Sequence, residues 1–326
     1  MTWVVLGFAT AVLYAAQGAW TKELTGRVGR GAAAWSMFAL ALPWLLLYLL
    51  VRGLPEIRDG FWPVLGTNVV LDVIGFTLYV RALEEGELGV TYPLLALTPA
   101  LVVPVEWLVL GEHAGPRGLA GIGLVVAGVY ALASPGEERG LLAPLRALAR
   151  EPGARRMAAV AALWAVSGTL DRVAVLGSSP AFYGTALTAG LALAFLPVAL
   201  RGAGRSMPVH ASGGDGPGGA GSAGPGGVAP SGRPGGAVLR RARALAGTIR
   251  EHPGGLALQG LLFGAMFVTQ SEALNLTLAA YVITLKRSGT LLTVLAGALF
   301  FDERETARRL VATLILVAGV LLVSRG

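Results

Sequence analysis

The sequence predicts an all-α integral membrane protein, with ten transmembrane helices arranged as two inverted five-helix repeats. Three observations carry this expectation. First, the 326 residues are 54% hydrophobic and only 14% charged, with a mean hydropathy of +0.66; a soluble domain carries about 25% charged residues. Second, ten segments approach the length of about 20 apolar residues that a helix needs to cross a bilayer core of about 30 Å. Third, the apolar second half repeats the first. Residues 112–132 align without a gap with residues 303–323, pairing Glu112 with Glu303, Arg117 with Arg308, and Val126-Ala127-Gly128-Val129 with Val317-Ala318-Gly319-Val320. Likewise Leu13-Tyr14-Ala15 and Gly18 match Leu163-Trp164-Ala165 and Gly168, and Lys22 matches Arg172.

The spans are expected over 3–21, 32–51, 61–83, 88–110, 116–134, 157–176, 180–200, 254–276, 279–301 and 306–323. Arg52-Gly53-Leu54-Pro55 and the run from Gly111 to Pro116 have the turn chemistry and charge of breaks between spans. Helices are expected because a lone span in lipid must satisfy its own backbone hydrogen bonds, and the alternation of a membrane β-barrel is missing. Pro93, Pro99 and Pro104 should kink the fourth span and free carbonyls. Five spans per repeat is an odd number, so the second repeat enters the membrane inverted.

The first repeat is assigned to residues 1–136, a connecting loop to 137–156, and the second repeat to 157–326. An insertion at about 202–253 interrupts the second repeat. Its core, Ser212 to Gly236, is almost entirely Gly, Pro, Ala and Ser, which buries too little apolar surface to fold and is expected to be disordered. The basic run after it (Arg240, Arg241, Arg243, then Arg250) suits the headgroup region.

Net charge is +7, but the arginines gather in connecting segments. That favours anchoring on the cytoplasmic side over nucleic-acid binding. Basic residues are dense after spans 1, 5 and 7, which places both termini outside and the chain as a multi-pass protein of the cell membrane. The first apolar run starts at Trp3 without a basic region before it, and is read as a retained span. There is no cysteine, and His113, His210 and His252 have no metal-ligand spacing. Gly118, Gly121 and Gly123 sit inside an apolar span without a preceding strand, so they read as helix packing and not as a dinucleotide site. No nucleophile-and-base constellation is present. The expectation is a protein without enzymatic activity, cofactor or metal, working as a monomer or homodimer in the lipid bilayer.

A duplicated membrane chain marks a secondary transporter, with its substrate site between the repeats near the midplane. Two five-span halves, each closing with a Gly-Glu or Asp-Glu turn (Gly111-Glu112, Asp302-Glu303) and a last helix ending Ala-Gly-Val, resemble the EamA-like transporters of the drug/metabolite transporter superfamily. The resemblance covers the chain apart from the insertion. It implies a ten-helix basket around a central cavity, lined by spans 1–4 and 6–9, with spans 5 and 10 peripheral.

The sharpest local signal is Lys286-Arg287, in the ninth span. The chain has two lysines, Lys22 and Lys286, and all its other basic side chains are arginines. A basic residue at mid-bilayer costs about 2.5–3.5 kcal/mol on insertion scales, so two in succession demand a partner or a wet cavity. Lys286, Thr290, Thr293 and Gly297 share one helix face, a polar stripe suited to a pathway wall. Tyr281 and Tyr92 join Lys286, Arg287, Thr290 and Asp72 as candidate substrate-binding or pathway residues. The basic pair resembles the one with which plastid sugar-phosphate translocators hold phosphate, although the fourth span, at Thr91-Tyr92-Pro93-Leu94-Leu95, has no basic residue to complete a clamp.

Asp72, Glu106 and Glu272 are candidates for proton coupling or for pairing with the basic residues, because an intramembrane carboxylate is functional by default. Glu112 and Glu303 read as caps on the helices that follow them. Asp171-Arg172 reads as a local ion pair. The expected function is alternating-access transport of small metabolites or drugs, outward, with proton coupling as one option. The alternatives are an organic-anion or sugar-phosphate exchanger and, from another class, a membrane-embedded enzyme acting on lipid-linked substrates.

Overall fold

The computed structural model describes residues 2–85, 92–133, 151–202, 234–289 and 306–325, and among them the chain is helices joined by turns and short irregular segments, with no strand. The first half of the chain holds α1 (Thr2–Val28), α2 (Arg30–Ala39), α3 (Leu42–Arg52), α4 (Phe61–Glu85), a 3-10 helix η1 (Tyr92–Leu97), α5 (Thr98–Leu110) and α6 (Pro116–Ala133). The second holds α7 (Pro152–Leu176), α8 (Pro180–Gly202), α9 (Pro234–Glu251) and α10 (Pro253–Leu276). It continues with a helix α11 over 279–289 and α12 (Thr306–Val323).

Length and composition suffice for crossing a membrane in Thr2–Val28, Arg30–Arg52, Phe61–Ala82, Pro152–Leu176 and Pro180–Gly202, five spans among the described residues; Leu94–Leu110 and Pro116–Val129 are shorter apolar helices. Described helices lie within each expected span, although residues 88–91 of the fourth and 290–301 of the ninth lie outside the described residues, and two of the helices are built differently from the plain spans expected. The second span is α2 and α3 with a break at Leu40–Ala41. Its local cause is Pro43, in the first turn of α3, which has no N–H for the Ala39 carbonyl; Gly260 of α10 packs against the break, so close that a Cβ there would meet the Leu40 carbonyl carbon at 2.3 Å. The fourth span begins as η1 and turns α-helical only at Thr98, with Pro99 in the first turn and Pro104 inside. A proline lacks the N–H that an α-helix interior needs, so the chain changes helix type where the prolines fall.

Part of the expected insertion is ordered. Residues 234–251 form α9, because the composition there changes from Gly, Pro and Ser to Ala, Leu and Arg, all good helix formers. Residues 203–233, which carry most of the expected disorder, lie outside the described residues, as do Thr290, Thr293, Gly297 and Glu303.

The helices pack as a layered bundle. Side by side lie α1 and α10, α4 and α7, α2 and α8, and α6 and α12. The largest apolar cluster joins α2, α8 and α10 through Phe38, Tyr183, Leu187, Phe195, Phe263 and Phe267. Outward, large apolar side chains such as Leu50, Val51 and Leu108 are exposed, as helices in contact with lipid require.

Candidate functional site

Chain direction defines two ends of the bundle. One carries the end of α1, the start of α2, the end of α4 and the starts of α7 and α10; the other carries the turn at 111–115, the ends of α7 and α10, and the start of α11. A cavity of about 960 Å³ reaches inward from the first end, where exposed Lys22, Arg30 and Glu84 line it. Its walls come from both halves: Tyr14, Asp72, Phe76, Tyr79 and Thr98 from the first, Trp164, Asp171, Phe267, Gln270, Lys286 and Arg287 from the second.

Two basic side chains, Lys286 and Arg287, line its inner part, away from Lys22 and Arg30 at the mouth. Lys286 Nζ donates to Gln270 Oε1 at 2.7 Å and stands 5.1 Å from the centre of the Tyr14 ring. Arg287, only 7% exposed, donates to Tyr14 Oη at 3.3 Å and to Thr98 Oγ1 at 3.5 Å. Its guanidinium also lies over the Trp164 ring at 5.5 Å and the Tyr14 ring at 6.0 Å. Among the described residues neither cation has a carboxylate within 4.0 Å, the ion pairs being held by other groups, and Arg287 Nε has no hydrogen-bond partner. Buried cations are tolerable here because ring faces and neutral acceptors replace part of their hydration.

Asp72 accepts from Ser167 Oγ at 2.8 Å. Asp171 accepts from Asn68 Nδ2 at 2.7 Å, from Gln270 Nε2 at 3.3 Å, and from the Tyr183 hydroxyl. Gln270 therefore bridges Lys286 to Asp171, its amide donating to the carboxylate and its oxygen accepting from the ammonium. Five spans meet at this network, in α4, α7, α8, α10 and α11.

The other expected site residues sit elsewhere. Tyr281 is buried, accepts from the Gly115 N–H at 3.2 Å and stacks on Trp3. Glu272 lies at the end of α10 beside Tyr48 and Arg52. Glu106, 2% exposed, accepts from the backbone N–H groups of Ala279 and Ala280 at 2.6 and 3.1 Å, capping α11 from another span. None of these three lines the cavity. Tyr92 opens η1.

Two local readings are corrected. Asp171 and Arg172 are not a pair, because neighbours on a helix point about 100° apart. Asp171 faces the cavity network, whereas Arg172 donates to Glu112 Oε1 at 2.8 Å and to the Leu274 carbonyl at 2.8 Å, with Glu106 at 3.6 Å. Glu112 accordingly serves as an ion-pair partner of Arg172 and not as a cap. This cluster lies beyond the inner limit of the cavity, at the second end. It ties Glu106 and Glu112 of the first half to Arg172, Leu274 and the start of α11 in the second. Nearby the Arg58 N–H donates to the Gly177 carbonyl at 2.9 Å, a further tie between the halves.

Sequence reasoning missed Asp171, Gln270, Tyr14, Trp164 and Thr98 as site residues. One signal for two of them was present: Tyr14 and Trp164 are matched positions of the two repeats, and both rings face Arg287.

An all-helical bundle with apolar outer faces suits a multi-pass membrane protein, and its cavity, walled by both halves, carries charged side chains among apolar ones. Residues 1–134 match the model of the EamA-like transporter family. In fold the chain is similar to a protein of known crystal structure, with a TM-score of 0.67 over 99% of this chain and 96% of that one, at 17% sequence identity. No curated protein matches the sequence.

Proposed function

We propose that the chain is a secondary transporter that moves small polar or amphiphilic metabolites outward across the cell membrane by alternating access, its ten spans forming two inverted repeats. The observation that carries this reading is the cavity of about 960 Å³ walled by both halves, since rocking of one half against the other would then move its opening from one end to the other. Matched packing supports the inverted repeat. With spans 1–5 equivalent to spans 6–10, the pair α1 and α10 corresponds to the pair α7 and α4, and α6 packs on its own equivalent α12.

The basic end is the cytoplasmic one by the positive-inside rule, so the cavity is open to the cytoplasm, the state that loads an exported substrate. The Glu106–Arg172–Glu112 cluster closes the opposite end and must separate when that end opens. Lys286, Arg287 and Asp72 contact the substrate, and Asp72 and Asp171 are the carboxylates placed to exchange a proton with the cavity. A second reading, exchange of organic anions, is favoured by one observation: Lys286 and Arg287 face the cavity without a carboxylate partner among the described residues.

Uptake into proteoliposomes with and without a pH gradient separates the two. Proton-coupled export predicts flux that follows the gradient; anion exchange predicts flux that needs a counter-substrate inside. Flux equal to that of empty liposomes across a broad metabolite panel overturns both.

A further inference from the structure

We propose that α9 is a surface helix that docks on anionic phospholipid headgroups beside the open end of the cavity. Successive residues of a helix turn by about 100°, which sorts α9 into three stripes. Leu245 is 5% exposed, and with half-buried Thr248 and Ile249 it faces the protein, where α9 packs on α8 and α10. Leu239, Ala242 and Ala246 form an exposed apolar edge next to it. Arg240, Arg243 and Arg250, all exposed, form a basic edge on the far side of that apolar one. A helix with an apolar edge alongside a basic edge fits the boundary between acyl chains and headgroups.

Connectivity puts α9 at that boundary. It ends at Glu251, and α10 begins at Pro253 with His252 alone between them. The junction is fixed to the bundle, because Trp20 Nε1 of α1 donates to the Gly255 carbonyl at 2.9 Å. Charge complementarity selects the occupant. At the same end Arg27 is held by Glu23 and Arg30 by Glu84, but Arg240, Arg241, Arg243 and Arg250 have no carboxylate within 4.0 Å among the described residues. The three exposed guanidinium groups of the basic edge are matched by the phosphates of acidic lipids, which they engage by charge-assisted hydrogen bonds. The surface does not depend on what the cavity carries.

The chain's lack of cysteine makes the test clean. Full-length Ala242→Cys protein is labelled with an environment-sensitive dye and reconstituted in phosphatidylcholine vesicles, with and without phosphatidylglycerol. The dye is expected to be shielded from aqueous iodide when phosphatidylglycerol is present and less shielded without it. In detergent, titration with a fluorescent phosphatidylglycerol should show binding that weakens by about fivefold for each arginine removed at low salt. Arg240→Ala/Arg243→Ala/Arg250→Ala should lose the lipid dependence, and the corresponding triple change to lysine should keep it, which separates loss of charge from loss of fold. Equal shielding in both vesicle types, or a lipid dependence that survives in the folded triple-alanine protein, overturns the proposal. So does equal shielding of the dye by a soluble polyphosphate in pure phosphatidylcholine vesicles, which would make the partner a soluble anion.

Discussion

Arg172→Ala should open the end of the bundle that the structure holds shut. Arg172 is 8% exposed and Glu106 2% exposed, and the guanidinium touches both Glu106 and Glu112. Removing one partner of a buried ion pair costs about 3–5 kcal/mol, because the charge left behind is desolvated and unpaired. That cost falls on the closed arrangement, since an opened end lets water reach Glu106 and Glu112. Even 3 kcal/mol shifts a two-state equilibrium by more than about a hundredfold. The assay is labelling of Ala15→Cys, a cavity-lining position, by a membrane-impermeant thiol reagent added on the face that carries the termini. Labelling from that face should be slow in the parent and about a hundredfold faster with Arg172→Ala. Glu106→Gln/Arg172→Met/Glu112→Gln should regain thermal stability, since no unpaired charge remains, while staying open to the reagent. An unchanged labelling rate in folded Arg172→Ala protein would refute the reasoning.

Lys286→Ala should abolish or redirect transport while leaving the solubilised protein folded, and Lys286→Arg should restore it only in part, because a planar fork does not replace a point charge on a flexible stem; thermal unfolding alongside flux checks both. Trp164→Leu should weaken the hold on Arg287 by about 1–2 kcal/mol, seen as a lower melting temperature with the cavity intact. Gly260→Val should prevent assembly, because its side chain would occupy the Leu40–Ala41 backbone; monodisperse, normally stable protein on gel filtration would count against the packing described. Deleting residues 209–230, almost entirely Gly, Pro, Ala and Ser, should leave expression and flux unchanged, and loss of folded protein would show that this stretch is structural.

The helices were legible because lipid allows few alternatives: long apolar runs with charged, Gly- and Pro-rich breaks fix their positions to within a few residues at most ends. The break in the second span was within reach, because Pro43 has no N–H for the Ala39 carbonyl; the contact made across it was not. Nothing at Leu40–Ala41 announces that Gly260, far along the chain, will press against it. The polar site shows the same division. Lys286-Arg287 stands out because two adjacent cations in an apolar run are costly wherever they point. Asp171 did not stand out, because Arg172 beside it in sequence offered an apparent partner, and only the helical rotation between them separates their surroundings. Glu106 and Glu112 have partners in other spans, and pattern within one segment carries no information about such contacts. Tyr14 and Trp164 were within reach, since the internal repeat had already aligned them.

The account stands or falls on whether the cavity carries a molecule across the membrane. The direct measurement compares small metabolites released into the medium by cells that express the parent chain with those released by cells expressing Lys286→Ala to the same level. Outward transport predicts at least one small polar or amphiphilic metabolite that accumulates outside with the parent and falls to background with the variant. Identical profiles from parent, variant and empty cells, with both proteins folded in the membrane, would contradict it.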